Sequence, residues 1–137
     1  METKIESRIG KVNANEDRIY NFISNFNNLK TFIPPDKVQD FQSSEDHCKF
    51  NVSGIGEVGL RIVEKEPFKM IKVSGDGMAN QRFLLWIQLK QNAENDTHIK
   101  LTIKADLNLM LKMMATKPLQ NFLNKLIDAI EKMNFGR

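Results

Sequence analysis

Residues 119–133, LQNFLNKLIDAIEKM, decide the fold. Leu119, Phe122, Leu123, Leu126, Ile127, Ile130 and Met133 recur at i, i+3, i+4, i+7, i+8, i+11 and i+14, with Gln120, Asn121, Asn124, Lys125, Asp128, Glu131 and Lys132 between them. This is the apolar stripe of an amphipathic helix. Working back from it, the chain between Lys37 and Asn108 alternates with period two and is cut by turn residues. The helix therefore lies across an antiparallel sheet made from the middle of the chain, and the two enclose a hydrophobic interior.

Six strands are expected there, at about 37–43, 46–53, 57–66, 69–76, 81–91 and 97–108. The breaks fall at Ser44–Glu45, Gly54–Gly56, Pro67, Gly75–Gly77 and the run 92–96. In the last strand Ile99, Leu101, Ile103, Ala105 and Leu107 oppose His98, Lys100, Thr102, Lys104 and Asp106, so one face is dry and the other wet. In the strand before it, Phe83, Leu85, Ile87 and Leu89 form the inward set. Leu84 and Trp86 then leave an apolar patch outside, which suits a homodimer contact.

Before the sheet, residues 3–12 read as one strand with Ile5, Ser7 and Ile9 on a common face and Gly10 as a bulge. Asn13 or Asn15 caps a helix carrying Ile19, Phe22, Ile23 and Phe26, and Asn13 with Glu16 has capping-box spacing. A second short helix carries Leu29, Phe32 and Ile33 and stops at Pro34–Pro35, because proline supplies no backbone donor.

The 137 residues fit one domain, 1–137. At 41% hydrophobic and 27% charged the composition is that of a globular protein. Cys48 is the single cysteine, no segment reads as a signal peptide, and the apolar runs are too short to span a bilayer; a cytoplasmic location is the default expectation. The net charge is +3, yet no two basic residues are adjacent, and Arg61, Lys65, Lys69 and Lys72 alternate with Glu57, Glu64, Glu66 and Asp76. That dilution argues against a nucleic-acid partner.

Chemistry-bearing motifs are few. Residues 54–59, GIGEVG, match a dinucleotide-binding pattern, but Val58, Leu60 and Ile62 continue as a strand where that site needs a helix, so the glycines belong to a hairpin. His47 and His98 fall on polar strand faces without metal-ligand spacing. Cys48 shares the apolar face of Phe50 and Val52 and lacks an activating neighbour. Tyr20 and Asp106 lie at a helix edge and on an outward strand face. No catalytic residue, metal or cofactor is expected. Met110, Met113 and Met114 are either filler beneath the helix entry or adaptable groups at a cavity mouth. Pro118 fits a helix start or a kink, and either would set the methionine segment off the main helix axis.

The order strand, two short helices ending at Pro34–Pro35, six antiparallel strands and a long C-terminal helix resembles the START-like, Bet v 1-like helix-grip superfamily (SRPBCC type), along the whole chain. Residues 13–22, Ile33–Pro34 and residues 64–69 look like that superfamily's strand-to-helix segment, second-helix exit and middle turn. The resemblance implies an α+β fold: a seven-stranded curved antiparallel sheet with two short helices and a long C-terminal helix across its concave face. It also implies an elongated apolar cavity binding a small hydrophobic molecule such as a lipid, isoprenoid or aromatic metabolite. Its expected walls are Phe32, Ile33, Leu60, Ile62, Phe83, Leu85, Ile87, Ile103 and Leu107, with Met110, Met113, Met114, Leu119 and Phe122 from the C-terminal segment. A polyketide cyclase or hydratase-like enzyme and a protein-interaction module with a packed core are the alternatives.

Overall fold

Eight strands, two α-helices and a 3-10 helix are seen in a computed structural model that describes residues 2–78 and 81–135. The strands are β1 (Glu2–Glu6), β2 (Gly10–Val12), β3 (Val38–Ser43), β4 (His47–Val52), β5 (Gly56–Glu66), β6 (Met70–Met78), β7 (Gln81–Ala93) and β8 (Asp96–Asp106). The helices are α1 (Glu16–Ile23), a 3-10 turn over Phe26–Thr31, and α2 (Leu109–Lys132). All strand pairs are antiparallel, in the order β1-β8-β7-β6-β5-β4-β3, with β2 also paired to β8. This is the expected α+β helix-grip architecture. The apolar alternation in β8 holds, with Ile99, Leu101, Ile103 and Ala105 buried.

The expected first strand is broken in two. The Ser7 backbone N–H donates to the Leu101 carbonyl at 2.9 Å, but the Leu101 N–H is taken by the Ser7 hydroxyl oxygen, also at 2.9 Å, instead of a main-chain carbonyl. A side chain thus replaces one rung of the ladder. Ile9 is exposed rather than sharing the buried face of Ile5.

Three further expectations change. Gly75 and Gly77 lie inside β6, and the connection that follows, residues 79–80, is outside the described residues. The Cβ of any larger residue at Gly75 would stand 2.2 Å from the Phe83 ring, so that glycine makes room for an inward aromatic. The second helix is a 3-10 turn that starts at Phe26, with Asn25 accepting the Asn27 N–H, and Phe32 and Ile33 follow it as buried residues. Asn15 is the N-cap residue of α1, but its side chain accepts from Gln91 and the Asn95 N–H, while the Glu16 carboxylate pairs with Lys69 at 3.2 Å. These bonds tie α1 to the β7–β8 and β5–β6 turns, in place of a capping box.

α2 is one helix of 24 residues with Pro118 inside it, so the methionine segment forms its first turns rather than a separate offset piece. Asn108 caps it by accepting the Leu111 N–H at 2.9 Å. Leu119, Leu123, Leu126, Ile127 and Ile130 are buried against the sheet, each contributing about 1.5–3 kcal/mol on removal from water. A polar clamp fixes the far end. Arg8, released by the break between β1 and β2, reaches Asp128 and Glu131, and the Arg8 and Lys11 N–H groups donate to Asn124 and Glu131 at 2.8 Å.

Candidate functional site

Between the inner sheet face, the 3-10 turn and α2 lies a cavity whose wall is built by side-chain alternation. β4 and β5 contribute Phe50, Val52, Val58 and Leu60, and β7 and β8 contribute Phe83, Leu85, Ile87, Leu101 and Ile103. α1 and the residues after it close one end with Ile23, Phe26, Leu29, Phe32 and Ile33, and Ile55 enters from the Gly54–Gly56 hairpin. α2 lays Leu119, Phe122, Leu123, Leu126 and Ile130 across the top. All twenty of these wall residues are Ile, Leu, Val or Phe, so the cavity carries no charge and offers no side-chain hydrogen bond.

The free volume inside is about 80 Å³. Pockets that hold drug-sized ligands are roughly 300–1,000 Å³, so side chains must move before anything larger than a few atoms enters.

Of the residues expected from sequence, Phe32, Ile33, Leu60, Phe83, Leu85, Ile87, Ile103, Leu119 and Phe122 stand on this wall. Ile62 is half-buried beyond the wall, next to the irregular register between Ile62 and Glu64. Leu107 is buried just after β8 ends, outside the cavity. Met110, Met113 and Met114 point outward, at 71%, 75% and 67% exposure. They line no part of it. Ile23, Phe26, Leu29, Phe50, Val52, Ile55, Val58, Leu101, Leu123, Leu126 and Ile130 stand on the wall in addition to the residues expected from sequence. Most were recognisable as inward positions, but alternation marks a face and not which part of that face borders free space.

Polar groups sit elsewhere. Tyr20 is buried with its ring edge-on to Phe68 at 5.6 Å, and burial raises its pKa. Cys48 is buried and its thiol is pushed up to about 12 by desolvation. His47 is exposed and His98 half-exposed. Among the described residues, no three His, Cys, Asp or Glu side chains gather as a metal site, and no helix is long and apolar enough to cross a membrane. The Thr3 hydroxyl is buried without a hydrogen-bond partner among the described residues, but it is not on the cavity wall.

Residues 10–134 match the family described as the G subunit of carbon monoxide dehydrogenase (CoxG). Comparison with curated proteins finds no match. Among solved structures, the chain is similar to a point mutant of norcoclaurine synthase from Thalictrum flavum in complex with a transition-state analogue, with TM-score 0.78 and 15% identity, over 96% of this chain and 93% of that one. It is also similar to major latex-like protein 151 from Panax ginseng, with TM-score 0.70 and 16% identity, over 95% of each chain. The Aha1 dimer from Colwellia psychrerythraea follows with TM-score 0.65 and 19% identity, over 95% of this chain and 97% of that one. These likenesses carry the START and Bet v 1-like helix-grip fold.

Proposed function

This chain belongs to the carbon monoxide dehydrogenase CoxG family, and from that premise we propose that it binds a small hydrophobic molecule in the cavity beneath α2. The observation that supports this most is the uniformly apolar wall, gathered from α1, the 3-10 turn and the residues after it, four strands, the Gly54–Gly56 hairpin and α2 around one interior space. Such a wall selects for the part of a ligand that has no hydrogen-bonding group: an acyl or isoprenoid chain, or an unsubstituted ring. A charged or hydroxylated end would remain at the rim.

Uptake enlarges the cavity. Its aromatic and branched side chains change rotamer and the N-terminal part of α2 shifts outward, since the Arg8 clamp holds the opposite end. The cyclase-like alternative requires an acid, base or oxyanion donor facing the substrate. No side chain on this wall supplies one, so the reading is of a carrier rather than a catalyst, a role consistent with a component that serves a larger enzyme.

The test is native mass spectrometry of protein purified without added lipid. A discrete additional mass, lost on denaturation and recovered in an organic extract, is the expected result. A bare polypeptide mass that is unchanged after incubation with fatty acids, isoprenoid alcohols and polycyclic aromatics would count against the proposal.

A further inference from the structure

The outer face of the sheet, on the far side from the cavity, concentrates charge that is dispersed along the chain. Cross-strand register aligns Lys4, Lys104, Leu84, Ser74, Arg61 and His47 in one line over six strands, and that line contains no carboxylate. The next line sets Trp86 beside Lys72. The Lys72 and Lys104 ammonium groups stand 5.7 and 5.6 Å from the centre of the Trp86 ring, reaching over it from the two flanking strands. Among the described residues Arg61, Lys72 and Lys104 are in no ion pair. Two adjoining shallow depressions, sharing Ser74 and Arg82, border the stripe.

We propose that this stripe docks an acidic segment of another protein, with an apolar side chain seated on Leu84 beside Trp86 and carboxylates facing Lys104, Lys72 and Arg61. Three observations select this occupant. A two-fold contact centred on Trp86 would set the stripe against its own copy, cation to cation, which disfavours a second molecule of this chain. The Trp86 ring already carries two ammonium groups, so it is not open for a nucleobase to stack. Finally, Glu2 and Asp106, paired in register, and Asp76 lie along one side of the stripe, while Glu6 and Glu64 stand at the two ends of the Trp86–Lys72 line itself, so a continuous polyphosphate or a flat anionic bilayer would meet carboxylates beside the stripe and at its ends. A protein segment can confine its acidic groups to the stripe. The inference does not depend on the cavity, which lies on the opposite face of the sheet.

Trp86 is the single tryptophan, so intrinsic fluorescence reads this surface directly. The protein is titrated with a synthetic glutamate-rich amphipathic peptide bearing periodic leucines, with its lysine-rich counterpart, with a thymidine oligonucleotide and with phosphatidylglycerol vesicles. The expected result is a saturable change in Trp86 emission with the acidic peptide alone. Raising the salt should weaken it, and Lys72→Glu with Lys104→Glu should weaken it by about tenfold or more at unchanged melting temperature. Should that pair disturb folding, Arg61→Glu serves instead. An absent response to the acidic peptide, a stronger response to oligonucleotide or vesicles, or an emission change that follows protein concentration alone would each overturn the proposal.

Discussion

Two residues show how local chemistry limits what this interior can do. Cys48 sits at no measurable exposure, and its thiol is pushed up to about 12, so almost no thiolate forms at physiological pH. Native protein should therefore react with a thiol-specific reagent at pH 8 only as fast as it unfolds, whereas denatured protein should react at once; rapid native labelling would contradict the burial. Gly75 faces Phe83 so closely that Gly75→Ala must push the ring toward the cavity. A loss of about 1–3 kcal/mol is expected by chemical denaturation, and combining it with Phe83→Leu should recover part of that loss, because the two changes share one space. The methionines show where composition misleads. At ~100° per residue, Ala115 and Leu111 continue the stripe of Leu119, while Met110, nine residues before Leu119, lies half a turn away. Ala115 and Leu111 do pack against the core, and Met110 is exposed. The signal was in the phase, not in the residue type.

Among the elements, α2 and the inward faces of the strands were legible because periodicity records which face is dry. The split of the first strand was not, since it depends on a Ser7 hydroxyl standing in for a carbonyl. That break frees Arg8 to grip α2, and the grip depends on pH. The hydrogen bond from Arg8 holds the Glu131 carboxyl below its ordinary 4.5. A group whose pKa is lowered by folding contributes stability above its unfolded value and loses it as pH falls through the folded one. Glu131→Gln should accordingly be less stable than wild type at neutral pH, with the gap narrowing as the solution is acidified below 4.5. Equal stability at all pH values would remove the clamp from the account. Along the same helix, residues before Pro118 include no fully buried side chain, and proline donates no hydrogen bond back to Met114. Amide hydrogen exchange should be faster over 112–117 than over 119–130.

At the level of the whole molecule, the helix and sheet stabilise each other by enclosing the same apolar space. Five buried side chains of α2 at about 1.5–3 kcal/mol each are comparable to a total stability of roughly 5–15 kcal/mol, so removing residues 117–137 should abolish cooperative unfolding. The fold was readable because element order and face patterning are one-dimensional properties. The limits of the cavity were not, because free space depends on how finished elements pack, and only 80 Å³ of it is left. The claim that this space receives a ligand is tested most directly by titrating wild type and Leu60→Trp with diphenylhexatriene, a neutral and wholly apolar fluorophore, while following their melting. Leu60 is on the cavity wall, so the larger ring occupies the space the probe would take. Saturable one-to-one binding by wild type, lost in a Leu60→Trp protein that still melts cooperatively, is the expected result. No saturable binding by wild type, or equal binding by both proteins, would contradict it.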